Sequence, residues 1–118
     1  MLNFEDKKKI CLACGDTDMR KSINGLSAKI DGDFKLDVYG PSVFVFCNRG
    51  RDRLKILEWD GNGFWLYFKR LEKGRFKWPT AEEATMSLNS EEFLLLLKNP
   101  GLIQKVLRKE LKTGAVFR

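Results

Sequence analysis

Basic side chains are the residues of this sequence with the clearest chemical potential, and they are concentrated in one stretch. Between residues 48 and 77 there are nine Lys or Arg and four Asp or Glu, a balance of 9 − 4 = +5 out of a net +6 for the whole chain. Such a local excess of cations is typical of a surface that meets an anionic partner, most often nucleic acid. We expect phosphate contacts from Arg49, Arg51, Arg53, Lys55, Lys69, Arg70, Lys73 and Arg75.

Catalytic chemistry is poorly supported by the residue types. The chain has no histidine, which excludes Ser-His and Cys-His nucleophile pairs and any histidine general base. Its aspartates alternate with residues typical of turns and caps, where Asp makes local hydrogen bonds. The sequence therefore predicts a protein that is not an enzyme and needs no cofactor. A nuclease that uses Asp16 and Asp18 is the remaining catalytic alternative.

Three cysteines, Cys11, Cys14 and Cys47, raise the question of a metal or redox site. Their odd number does not close a disulfide framework, and a zinc site needs four ligands where the chain offers three cysteines and no histidine. Cys11 and Cys14 form a C-x-x-C, but on a strand these two positions face opposite sides of the sheet. We expect all three to be small buried hydrophobic residues, and we expect no metal.

The elements that position these residues follow from hydrophobic periodicity and turn signals. Strands are predicted at 9–14, 42–47, 54–59 and 64–71, with a short edge segment at 75–78 and a short strand at 86–88. A helix that starts near residues 15–17 has Met19, Ile23, Leu26 and Ile30 on one face, and further helices are predicted at 90–98 and, with a basic polar side, at 102–112. The predicted fold is a single α+β domain over residues 1–118, an antiparallel β-meander with helices packed on one face.

The apolar runs of the sequence indicate where in the cell the protein is located. The longest, residues 93–97, is far too short to span a bilayer, and the first nine residues carry charge where a signal peptide needs an apolar stretch. We therefore expect a cytoplasmic protein with no membrane partner.

The predicted strand 64–71 is aromatic or apolar on both faces up to Phe68, before Lys69 and Arg70, which a one-sided core does not explain. One interpretation is that its rings stack on nucleic-acid bases. Another is that a second layer of helix covers the extra face. A third makes Trp65, Tyr67, Phe76 and Trp78 the anchors of a protein interface, since Trp and Tyr are frequent hot-spot residues.

The turns of a meander set where the cations lie. Alternate turns of an up-and-down sheet are at the same end, so the loop at 48–53 and the segment that follows strand 64–71 should come together. That arrangement predicts one cationic edge.

Four segments resemble a known family: ACGDTDMRK at 13–21, VFCNR at 45–49, KILEWDGNGFW at 55–65 and YFKRLEKGRFKWP at 67–79. They are similar to TnpB, the small accessory protein encoded by the second reading frame of insertion sequence sixty-six family elements, and the similarity covers about residues 11–97. The matching positions are Asp18, Arg20, Lys55, Trp59, Asp60, Gly61, Gly63, Trp65, Lys69, Arg70, Lys73, Gly74, Arg75, Phe76, Trp78 and Pro79.

The resemblance implies a non-catalytic accessory role in DNA transposition, beside a separate transposase that carries the chemistry, but it assigns no role to individual residues. Together with the charge pattern, it predicts a protein that binds DNA, either at the element ends or without sequence preference, through the basic meander edge. The alternative is an adaptor that docks on the transposase without touching DNA.

Overall fold

The computed structural model describes residues 9–98. Its elements in chain order are β1 (Ile10–Ala13), α1 (Ile23–Ala28), a π-helical turn (Lys29–Asp33) that continues α1, β2 (Val43–Cys47), β3 (Arg53–Trp59), β4 (Phe64–Arg70), β5 (Thr85–Leu88) and α2 (Ser90–Lys98). All four predicted strands and the short strand before α2 are present within two residues of their predicted bounds. The helix predicted at 102–112 lies outside the described residues.

The strands form one sheet in the order β4-β3-β2-β1-β5. The predicted antiparallel meander is β2-β3-β4. β1 lies between β2, to which it is parallel, and β5, to which it is antiparallel. A parallel neighbour requires a crossover connection, and the segment that contains α1 provides it. The α+β class is confirmed, with a mixed and mostly antiparallel sheet.

The two helices lie on opposite faces of this sheet, not together on one face as expected from the sequence. Phe93 and Leu96 of α2 pack in one cluster with Ile10 and Val45, whereas Leu26 of α1 packs in the other cluster. The reason is that β1 and β2 are apolar at every position, so both of their faces need a covering layer. Within residues 9–98, no helix is both long and apolar enough to cross a membrane.

The first helix begins later than the apolar periodicity predicts. The backbone N–H groups of Arg20 and Lys21 donate to the Asp18 side chain and carbonyl, at 2.9 and 3.1 Å, so residues 18–21 form a turn. α1 starts only at Ile23. Arg20 and Lys21 therefore precede the helix.

The segment 75–78 is not a strand. It is tied to the preceding loop by the N–H of Phe76, which donates to the Arg51 carbonyl at 2.7 Å. It is tied to β1 by the Trp78 indole, whose Nε1 donates to the Ala13 carbonyl at 2.8 Å. Both aromatic side chains enter the α2-side core.

Candidate nucleic-acid interface

The loops that flank β3 and β4 meet at one end of the sheet, as the meander predicts. The Leu71 N–H donates to the Asp52 carbonyl at 2.7 Å, and the Phe76 N–H donates to the neighbouring Arg51 carbonyl. In the sheet ladder, Arg53 lies directly opposite Arg70. Basic residues that are about twenty positions apart in the sequence therefore share one surface.

The loop between β2 and β3 is held by the side chain of Asn48. Its Oδ1 accepts the N–H groups of Asp52 and Arg53, each at 3.0 Å, and its Nδ2 donates to the Asp52 carboxylate at 2.7 Å. The Asn48 hydrogen bond is the main reason that the pKa of Asp52 is below its usual value. The acid inside the cationic loop is thus fixed in a local bond.

Two of the predicted phosphate contacts use their charged groups inside the protein. The Arg51 guanidinium donates to the Gly15 carbonyl at 2.7 Å, from a backbone at φ = 64°. The Lys55 ammonium donates to the carbonyls of Met19 and Lys21, both at 2.7 Å. Both side chains are half-buried. Their contacts tie the sheet end to the segment after β1, so their first role is to position neighbouring residues.

The other six predicted cations are exposed at this end, and we call them the cationic end: Arg49, Arg53, Lys69, Arg70, Lys73 and Arg75. Arg70 pairs with Glu72 at 2.9 Å, an exposed ion pair that contributes little to stability. Within residues 9–98, none of the other five forms an ion pair with a carboxylate. The cationic end therefore presents charge to solvent that the described fold does not neutralise.

Three arginines converge around an open pocket on the α1 side of β3 and β4. The pocket has a volume of about 520 Å³, and we call it the arginine pocket; it is lined by Asp18, Met19, Arg20, Arg53, Phe68 and Arg70. Like charges directly opposite each other on neighbouring strands oppose folding, and Arg53 and Arg70 stand in that relation. An anion between them would relieve the repulsion.

Asp18, the acid in the arginine pocket, is bound by the side chain of Arg20. Both Asp18 oxygens accept from the Arg20 guanidinium, the shortest contact being 2.8 Å from Nη2 to Oδ2. This side-chain bond is the largest cause that lowers the pKa of Asp18 to about 2. The three guanidinium groups and one carboxylate give the lining a net charge of +2 at neutral pH.

The four predicted aromatic anchors divide between surface and core. Phe76 and Trp78 are only 2% and 8% exposed, so they hold the fold together. Trp65 is 46% exposed and stacks on Tyr67 with ring centroids 6.1 Å apart. Their polar groups are anchored on acids, with Trp65 Nε1 2.6 Å from Asp60 and the Tyr67 hydroxyl 3.1 Å from Glu58.

The exposed ring of Phe68 was absent from the set of sites predicted from the sequence. Phe68 is 57% exposed and lies on the arginine-pocket side of β4, two positions before Arg70. In the ladder it lies opposite Lys55. Alternation along the strand could have placed it beside Arg70, because residues i and i+2 share a face.

The cysteines are free thiols in protected positions. Cys11 and Cys47 are buried, on opposite faces of the sheet, and Cys14 is half-buried. Desolvation is the main cause that raises the pKa of both Cys14 and Cys47 to about 11. Their thiols stay protonated near neutral pH, which is unfavourable for thiolate chemistry. Within the described part of the chain, no group of Cys, Asp or Glu is arranged to hold a metal ion.

Comparison with known proteins adds a family relationship. The family model described as IS66 Orf2 like protein matches residues 8–114, a range that extends past the residues 11–97 of the sequence resemblance. Two proteins of Sinorhizobium fredii (strain NBRC 101917 / NGR234) are similar: uncharacterized protein y4hO is 34% identical over 97 residues, covering 82% of this chain and 84% of its own. Uncharacterized protein y4jC is 36% identical over 89 residues, covering 75% of this chain and 76% of its own. No solved structure matches the chain.

Proposed function

We propose that this chain, which belongs to the IS66 Orf2-like family of transposition accessory proteins, binds DNA through its cationic end. The family is not a known enzyme family, and we propose a non-catalytic role in the cytoplasm, where the chain acts on the element DNA that a separate transposase processes. The observation that supports DNA binding best is the convergence of six exposed cations on one end of the sheet.

Phosphate is the anion that this surface suits. Four of the six cations are arginines, whose planar guanidinium groups bind phosphate oxygens in pairs. Because the exposed side chains come from two loops and two strands, they can follow a phosphate backbone but do not by themselves read its sequence. If all six contact phosphates of duplex DNA, the logarithm of affinity should fall with the logarithm of salt concentration with a slope of about −5.

Fluorescence anisotropy with labelled DNA tests this proposal. The probes are a duplex with the sequence of the element end, a scrambled duplex of the same length and a single strand, each at several salt concentrations. Lys73→Glu with Arg75→Glu should weaken binding to every probe, whereas Lys35→Gln, which removes a cation from the connection between α1 and β2, should not. If the wild-type protein binds none of the probes at low salt, the DNA-binding proposal is wrong.

A second candidate function, docking on the transposase, is supported by the exposed Trp65–Tyr67 stack. Large rigid rings that are only partly covered are common anchors of protein interfaces. Trp65→Ala should then reduce capture of the transposase in a pull-down. The cationic substitutions should leave that capture intact, so the two functions are separable by experiment.

A further inference from the structure

The exposed side of Phe68 faces the arginine pocket, where no described residue covers it. Phe68 is the second most exposed of the large hydrophobic side chains in the described chain, after Tyr39. Tyr39 contacts the rings of Trp59 and Phe64, at centroid distances of 4.9 and 5.7 Å, but no ring contact of that kind is found for Phe68 within residues 9–98. The Phe68 ring is therefore available to a planar ligand group.

The charges beside the Phe68 ring are placed to bind an anion that is attached to a planar group stacked on the ring. Arg70 is two positions along the same strand face, about 7 Å away at the usual strand rise. Arg53 lies directly opposite Arg70 on β3. The aromatic surface and two guanidinium groups are thus within the span of a single nucleotide.

The segment that contributes Met19 and Arg20 to the pocket lining is held in place by hydrogen bonds within the protein. The Lys55 ammonium holds the carbonyls of Met19 and Lys21, and Lys55 stands opposite Phe68 in the ladder. The segment that contributes Met19 and Arg20 is therefore fixed against β3, next to the position of Phe68 on β4. Rigid walls reduce the entropy that a ligand loses on binding.

From these observations we propose that the arginine pocket holds one unpaired nucleotide of a DNA strand, with its base stacked on Phe68 and its phosphate between Arg53 and Arg70. This inference rests on the proposed DNA-binding function and adds strandedness to it. A volume of about 520 Å³ is within the range of small-molecule sites, roughly 300–1,000 Å³. In a duplex both faces of each base are stacked, so only a single strand, an end or a splayed base can present a face to Phe68.

Substitution of Phe68 and of a matched aromatic on the same strand tests the inference. Phe68→Thr removes the ring but keeps a residue that favours strands, and Phe68→Tyr keeps the ring. Trp65→Thr removes a comparably exposed ring from the opposite face of β4. The probes are a labelled oligothymidine, which forms no duplex, and a duplex of the same length, measured by anisotropy after circular dichroism has shown that each variant is folded.

Phe68→Thr should weaken oligothymidine binding about 5- to 150-fold, the usual effect of losing one base-stacking ring, and leave duplex binding unchanged. Phe68→Tyr and Trp65→Thr should both bind oligothymidine as the wild type does. An equal loss for the two probes, no loss for either, or the same loss in Trp65→Thr would overturn the inference while DNA binding itself stands. Absence of any binding by the wild type would instead overturn the proposed function.

A crosslink provides a second measurement that does not depend on how the variants fold. Oligonucleotides that contain 5-iododeoxyuridine crosslink on irradiation to an aromatic ring stacked on the modified base. With the wild-type protein, mass spectrometry should locate the crosslink at Phe68. Crosslinking at Trp65 or at another aromatic residue, with Phe68 unmodified, contradicts the inference.

Discussion

Arg53→Thr should raise the stability of the folded protein and weaken its binding to DNA. Arg53 is exposed and lies directly opposite Arg70, so its charge opposes folding, and threonine fits a strand well. Removal of a directly opposed like charge is worth about 0.2–1 kcal/mol. Attraction of Arg53 to the neighbouring Asp52 acts the other way, which places the expected gain in the lower part of that range.

Arg53→Thr should also change the salt dependence of DNA binding. Loss of one phosphate contact should make the salt slope for duplex DNA less steep by about 0.9. Arg53→Lys is the matched variant, because it keeps both the repulsion and a cation for phosphate; its stability and salt slope should stay close to those of the wild type.

Urea denaturation followed by tryptophan fluorescence measures the first effect, and anisotropy titrations at several salt concentrations measure the second. The stability gain should shrink as salt is added, because exposed charges are screened. A loss of stability in Arg53→Thr would mean that the arginine has a structural role that the contacts do not reveal. Unchanged DNA affinity in a folded variant would mean that the Arg53–Arg70 pair does not face the DNA.

Three further substitutions test the contacts that build the site. Lys55→Met should lower the free energy of unfolding in urea by about 1.5–3 kcal/mol, because the charged hydrogen bonds to the segment before α1 are lost while the stem still packs; an unchanged value would contradict the positioning role. Trp78→Phe should lower it by about 1–3 kcal/mol, because the Ala13 carbonyl loses its buried donor, and a near-neutral result would mean that water replaces the indole. Arg20→Gln should move the NMR titration midpoint of Asp18 from about 2 up towards its ordinary value, because the guanidinium bond is lost while the backbone N–H of residue 20 still donates. A depressed folded pKa contributes stability that is present above the unfolded pKa and is lost as pH falls towards about 2, and this contribution should shrink in the variant. A midpoint that stays near 2 would exclude the Arg20 side chain as the cause.

The strands were predictable because their signals are local. Val43–Cys47 is a continuous apolar run, and the Asp60–Gly63 turn has the glycine at Gly61 that a φ of 104° requires. The position of β1 beside β2 was not predictable in the same way, because the α1 segment separates the two strands in the chain and local signals do not specify pairing partners. The continuous apolar runs of β1 and β2 indicate that both faces are covered, but the apolar stripe of a helix does not specify which face it covers.

Charge at the candidate site was visible in the sequence, but the use of each charge was not. Nothing in the composition distinguishes Arg51 and Lys55, which donate to backbone carbonyls, from Arg53 and Arg70, which face solvent. The carbonyls that they bind come from residues 34 to 36 positions earlier in the chain. Such contacts exist only after the crossover through α1 has brought that segment to the sheet end. Burial of Phe76 and Trp78 likewise depends on where the segment after β4 packs.

The arginine pocket and the Trp65–Tyr67 stack lie on opposite faces of one edge strand. Phe68 and Arg70 of β4 face the α1 side, whereas Trp65 and Tyr67 face the α2 side, and β4 has no neighbour beyond β3 within residues 9–98. A protein partner on the Trp65 face would therefore leave the arginine pocket open to DNA, and a nucleotide in the pocket would leave the stack open to a protein. If both functions are present, Phe68→Thr should remove nucleotide binding and Trp65→Thr should remove protein docking. In the double variant, the free energy of each binding reaction should change by the same amount as in the single variants, because the rings do not share a face. Strong non-additivity would mean that DNA and protein compete for β4, and the accessory role would then be a switch between partners and not a bridge that holds them together.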